Sequence, residues 1–128
     1  MPTVLVVEDQ EEIAALINFK LKNSGYNVIL AENGKMGLES ARINSPDLII
    51  LDVMMPVMNG VQTLTALKSD KNLKSIPVIM LTAQSAESAV VEGFHLGADD
   101  YITKPFRTKE FVARIGAVLS RYKKTAVA

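Results

Sequence analysis

Asp52 closes an unbroken apolar run, Leu48-Ile49-Ile50-Leu51, and Glu8 and Asp9 close another, Val4-Leu5-Val6-Val7. Thr82 ends a third run, Val78-Ile79-Met80-Leu81, and Lys104 follows Tyr101-Ile102-Thr103. Runs that are apolar at every position suit strands buried on both faces, as in a parallel sheet. Their terminal polar residues then share one rim, at the carboxyl ends where open α/β sheets hold ligands. Three carboxylates crowded there repel one another and raise their own pKa values. A hard divalent cation relieves this: Mg²⁺ prefers oxygen, takes one or two carboxylates, and keeps waters or phosphate oxygens. Lys104 is a donor-only cation suited to a phosphoryl oxygen, and the Thr82 hydroxyl can donate to the same group. These parts describe phosphoryl transfer, where positioning and charge neutralisation supply most of the catalysis. The nucleophile would be a carboxylate that yields an acyl phosphate. Asp52 suits that role better than Asp9, because it can face both the metal and Lys104.

The elements needed to hold these residues alternate along the chain. After the first strand, Ile13, Leu16, Ile17 and Leu21 recur at helical spacing, and Gly25 closes the helix. Val28-Ile29-Leu30 is a strand, and Asn33-Gly34 turns into a helix over about 35–44, with Met36, Leu38, Ala41 and Ile43 as packing candidates. Pro46-Asp47 breaks it before the strand that ends at Asp52. A helix carrying Val61, Leu64, Leu67 and Lys68 follows Gly60, and another spans about 86–96 with Gly97 as its C-cap. Phe111, Ile115, Val118, Leu119 and Tyr122 mark a last helix starting near Thr108. Five strand–helix units with connections long enough for parallel crossovers give a single-domain α/β fold, (βα)5, a doubly wound parallel sheet with helices on both faces. The domain is expected over 1–122, with 123–128 a frayed tail.

Composition sets the outer bounds. A chain of 128 residues is long enough for one domain with a sizeable core. Fourteen basic against fourteen acidic side chains give zero net charge, so no nucleic-acid or membrane patch is expected. The absence of cysteine excludes disulfides, thiolate nucleophiles and Cys-ligated zinc. The N-terminus lacks a signal-peptide pattern, and no apolar run approaches the ~20 residues of a membrane helix. A soluble cytoplasmic domain is the expectation.

Five segments carry a resemblance: Val-Val-Glu-Asp (6–9), Leu-Asp-Val-Met-Met-Pro (51–56), Met-Asn-Gly (58–60), Leu-Thr-Ala (81–83) and Gly-Ala-Asp-Asp-Tyr-Ile-Thr-Lys-Pro-Phe (97–106). In this order they resemble the receiver domain of two-component response regulators, over roughly 3–121. The resemblance implies a flavodoxin-like strand order, 2-1-3-4-5. It implies that Asp52 accepts a phosphoryl group from a phosphohistidine on a sensor histidine kinase or phosphotransfer protein. Asp9 and Asp52, with the backbone carbonyl of Met54, would bind Mg²⁺ directly, and Glu8 would act through a water. Lys104 would bridge to the phosphoryl group or to Asp52. Thr82 and Tyr101 resemble the switch pair, and Pro105 a position where receivers carry a cis peptide. Such a domain is a signalling phosphoacceptor with no separate turnover substrate, not an enzyme in its own right.

The stretch from Gly97 to Arg121 is most similar to receivers of the OmpR/PhoB type, which dimerise through helix 4, strand 5 and helix 5. Asp100, Glu110 and Arg114 match charged positions of that face, whereas Val90 stands where a basic partner is usual. The expected output is a downstream protein target or an effector domain outside this chain, with a homodimer through that face as a further expectation. No direct nucleic-acid binding is expected of the chain itself. Plainer readings exist for single residues. Asp9 or Thr82 could cap a helix, Lys104 could be a solvated surface lysine, Tyr101 could be core, and His95 reads as a surface residue. Met54, Met55 and Met58 read as packing or contact residues, not soft-metal ligands. Two rival functions compare poorly. A haloacid-dehalogenase-type phosphatase needs a second acid two residues beyond the nucleophile, where Met54 stands. A phosphorylation-independent pseudo-receiver usually lacks the acceptor, the acid pair or the lysine, all of which are present.

Overall fold

A computed structural model describes residues 2–53, 58–83, 97–104 and 106–127. The helix expected over 86–96 and the expectations for Met54, Met55, Val90, His95 and Pro105 lie outside the described residues. The strands are β1 (Thr3–Val7), β2 (Asn27–Ala31), β3 (Leu48–Asp52), β4 (Val78–Ala83) and β5 (Asp100–Lys104). The helices among the described residues are α1 (Glu11–Asn23), α2 (Gly34–Asn44), α3 (Gly60–Ser69) and the C-terminal helix Thr108–Val127. All strand pairs are parallel, and the order is β2-β1-β3-β4-β5, as the resemblance implied.

Each inner strand sends alternate side chains into two cores, which is why its sequence is apolar throughout. Leu5, Val7, Ile49, Leu51 and Met80 join Leu38 and Ala41 of α2 and Leu64 and Leu67 of α3. Val4, Val6, Leu48, Ile50, Ile79 and Leu81 join Ile17 and Leu21 of α1 and Phe111, Ile115 and Val118 of the C-terminal helix. Every residue of β3 is buried. The order reverses at β1, which lies between β2 and β3, and this topological switch opens a crevice at the carboxyl ends of β1 and β3.

Two expectations about helix faces are corrected. Leu38 and Ala41 of α2 are buried, but Met36 and Ile43 are 43% and 80% exposed. At ~100° per residue, Gly34, Gly37, Leu38 and Ala41 form one stripe, and Met36 and Ile43 fall on the opposite side. On α1, Ile17 and Leu21 face the sheet, whereas Leu16 is 47% exposed. Lys68 of α3 is drawn inward: its Nζ donates to the carbonyls of Lys74 (3.2 Å) and Ile76 (3.0 Å). Burial pushes this ammonium below the usual lysine range, and the charge of Asp99 opposes the shift.

Candidate functional site on the carboxyl rim of the sheet

The register carries the polar residues to one place. Val7 pairs with Leu51, Asp52 with Leu81, Thr82 with Thr103 and Ala83 with Lys104. Glu8 extends the ladder beyond β1 by donating its N–H to Ala31 at 3.0 Å. Glu8 and Asp52 are each only 3% exposed, and Thr82 is 1% exposed. Carboxylate oxygens of Glu8, Asp9 and Asp52 all lie within 4.8 Å of one another. Lys104 Nζ donates to Asp52 Oδ2 at 3.0 Å and stands 3.2 Å from Glu8 Oε1.

The electrostatics follow from burial. Desolvation, helped by the hydrogen bond and the charge of Asp52, pushes the Glu8 carboxyl up to about 7. Crowded acids with raised pKa values were the expectation, and Glu8 meets it. Burial disfavours the Lys104 ammonium, but the hydrogen bond and charge of Asp52, with Glu8 behind it, hold it above the usual lysine range. Glu8 Oε1 is buried, and among the described residues its one charged contact is the ion pair with Lys104, without a well-aligned hydrogen bond. A buried carboxylate oxygen held only by its ion pair with Lys104, with two further carboxylates beside it, is what a hard, oxygen-loving divalent cation would complete. The residues present therefore fit a metal such as Mg²⁺. The Met54 carbonyl, expected as a ligand, is outside the described residues.

The plainer readings can be compared with this geometry. The N-cap of α1 is Gln10, so Asp9 is not that helix's cap. Lys104 is bound between two buried acids and is not a free surface lysine. Tyr101 is 8% exposed and belongs to the core shared with α2 and α3. Replacing Lys104 with Ala should leave the chain folded, since the freed acids can take up protons or face the crevice. It should cost about 1–2 kcal/mol at neutral pH without divalent cations, less than a fully buried pair because Lys104 is partly exposed. Urea unfolding of the variant measures this, and a gross loss of structure would mark Lys104 as a structural residue instead.

Beside the acids lies an apolar cleft that the sequence reading missed. Ile13, Leu16, Lys104 and Phe106 line a depression of about 330 Å³. Phe106 stacks on Phe111 with ring centroids 4.7 Å apart, and Lys20 Nζ stands 5.2 Å from the Phe106 ring. Phe19, 65% exposed, lies on the outer face of the same helix. The available signal was Leu16, an apolar residue outside the sheet-facing phase that Ile17 and Leu21 set on α1.

A parallel sheet in this order, with clustered acids and a lysine at its carboxyl rim, defines a CheY-like α/β domain. The chain belongs to the family described as the response regulator receiver domain, which matches residues 4–116. It is 45% identical over 118 residues to the alkaline phosphatase synthesis transcriptional regulatory protein PhoP of Bacillus subtilis (strain 168), covering 92% of this chain and 48% of that protein. It is 44% identical over 124 residues to the phosphate regulon transcriptional regulatory protein PhoB of Escherichia coli (strain K12), covering 97% of this chain and 54% of that protein. Both relatives are response regulators of the OmpR/PhoB type. Among solved structures, chemotaxis protein CheY4 of Vibrio cholerae superposes with a TM-score of 0.87 at 32% identity, covering 92% of this chain and 98% of that one. The chain spans about half the length of the curated relatives it matches. Among the described residues, no helix is long and apolar enough to cross a membrane.

Proposed function

We propose that this receiver accepts a phosphoryl group on Asp52 from a phosphohistidine of a sensor histidine kinase or phosphotransfer protein, in a Mg²⁺-dependent reaction. The observation that carries the reading is Asp52 itself. Its carboxylate is buried at the end of β3, 3.0 Å from Lys104 Nζ and within the cluster of Glu8 and Asp9. An Asp52 oxygen attacks phosphorus, forming the acyl phosphate bond while the bond to the donor nitrogen breaks. Lys104 and the Thr82 hydroxyl then hold phosphoryl oxygens. Asp9, Asp52 and the Met54 carbonyl would hold the metal, with Glu8 behind a water; when bound, Mg²⁺ neutralises charge on the carboxylates and the phosphoryl oxygens. Thr82 and Tyr101 would convert this charge event into a switch of the helix 4, strand 5 and helix 5 surface.

The domain acts as a signalling module with no separate turnover substrate, in the cytoplasm, passing its state to a downstream protein or an effector domain. A homodimer through the switch surface is part of the proposal. Within one chain, Arg114 pairs with Asp100 at 3.0 Å and with Glu110 at 3.3 Å, so these dimer-face charges are already mutually satisfied. The acceptor, acid pair and lysine that pseudo-receivers lose are all retained, and no observation favours that reading.

The apolar cleft supports a helical donor protein, whose side chains could seat on Ile13, Leu16 and Phe106 and bring a phosphohistidine to Asp52. Leu16→Glu should slow transfer from a phosphohistidine protein on the order of tenfold. It should leave uptake from the small donor acetyl phosphate unchanged. Equal loss with both donors would place the defect in the site and not in docking.

A further inference from the structure

Gly60 opens α3 and is buried. Its N–H donates to the Val53 carbonyl at 2.9 Å. A Cβ at this position would lie 2.6 Å from Val53 Cα and 3.0 Å from the Asp52 carbonyl carbon, and would press on the Asp52 carbonyl oxygen. These are backbone atoms, which cannot swing aside as a flexible side chain can. Conformation does not require the glycine: the positive-φ glycines among the described residues are Gly25 and Gly97. The requirement is for space.

The start of α3 is also held from its other sides. Asn59 and Gln62 form a reciprocal capping box, with N–H to side-chain bonds of 2.8 and 3.0 Å. The Asn59 carbonyl accepts from the Thr63 N–H at 3.0 Å and from its hydroxyl at 2.8 Å. Gly34, at the start of α2, comes so close that a Cβ there would meet the Thr63 hydroxyl and stand 2.9 Å from the Met58 carbonyl oxygen. The helix start therefore has no room to retreat from Asp52.

We infer that Gly60 is a positioning residue for the phosphoacceptor: its bare backbone lets the first turn of α3 abut the Asp52–Val53 peptide and so sets the place of the Asp52 carboxylate between Glu8, Asp9 and Lys104. The inference rests on the reading of Asp52 as acceptor. It predicts an effect opposite to helix propensity, by which Ala should improve a helical glycine position. Gly116 provides the contrast, because a Cβ there meets nothing within 4 Å.

The test compares the full chain with Gly60→Ala and Gly116→Ala, measuring Mg²⁺ affinity by calorimetry, the rate of phosphoryl uptake from acetyl phosphate at saturating Mg²⁺, and melting temperature. Gly60→Ala should weaken Mg²⁺ binding and slow uptake, each on the order of tenfold, because misplacing a reacting group by a fraction of an ångström is costly. Gly116→Ala should keep both wild-type values and melt slightly higher. If Gly60→Ala does not fold, Asn59→Ala takes its place, loosening the same helix start without adding an atom near Asp52. It should also lower both values. Wild-type affinity and rate in the folded variant at this helix start overturn the inference. A wild type that takes up no phosphoryl group overturns the acceptor reading, and the inference with it.

Discussion

Asp52→Asn should take up no phosphoryl group under conditions in which the wild type takes up one. An amide oxygen is too weak a nucleophile to form the acyl phosphate, and no other carboxylate shares the position of Asp52. Asp9 stands nearer solvent, and Glu8 carries a raised pKa that keeps about half of it protonated at neutrality without a metal. Asn retains an oxygen to accept from Lys104, so the fold should be preserved. Removing one of three crowded charges should raise the melting temperature in the presence of a chelator. The same change removes a proposed metal ligand, so the Mg²⁺-induced rise should shrink as affinity falls at least about tenfold, or ~1.4 kcal/mol. Labelling retained in the variant would move the acceptor elsewhere.

Without divalent cations, the folded chain should lose stability as pH rises through the titration of Glu8. Its carboxyl is raised from 4.5 to about 7 on folding, mainly by burial and then by Asp52. Between those values the folded chain holds a proton that the unfolded chain has released, so stability falls with rising pH. The contribution is complete below about pH 4.5 and gone above about pH 7, and is on the order of 3 kcal/mol. Glu8→Gln, neutral at every pH, isolates it. In chelator, the melting temperature of the variant relative to wild type should climb from about pH 5 to about pH 8. Mg²⁺ reverses the order, since metal binding needs the ionised acid. A constant difference between the two proteins across this range, in chelator, would contradict the burial of a titrating Glu8.

The parts of the site legible from sequence were those tied to strand ends. Glu8, Asp9, Asp52, Thr82 and Lys104 each follow an apolar run, and in a parallel sheet that alone assigns them to one rim. The depth of Glu8 was not legible, nor was the double pairing of Lys104. Both depend on register, which sets Lys104 opposite Ala83, one step beyond Thr82. Helix faces were read from apolar identity without phase, so Met36 and Ile43 were given to the core although Gly34 and Gly37 mark the packed stripe of α2. The apolar cleft escaped for the same reason, since Leu16 reads from sequence only as one of the residues at helical spacing with Ile17 and Leu21. Lys68 reads from sequence only as a member of the helix that carries Val61, Leu64 and Leu67, and the returning backbone of residues 74–76 turns it inward. The role inferred for Gly60 needs the distance between α3 and the end of β3, which local pattern does not contain.

The most direct test of the account is to find which side chain becomes the acyl phosphate. The chain is incubated with Mg²⁺ and acetyl phosphate, reduced with borohydride, and mapped by peptide mass, with a chelator control. An aspartyl phosphate at the acceptor is reduced to homoserine, so the account predicts homoserine at position 52 and none when the chelator is present. Homoserine at position 9, or an unmodified chain with Mg²⁺ present, would contradict Asp52 as the phosphoacceptor.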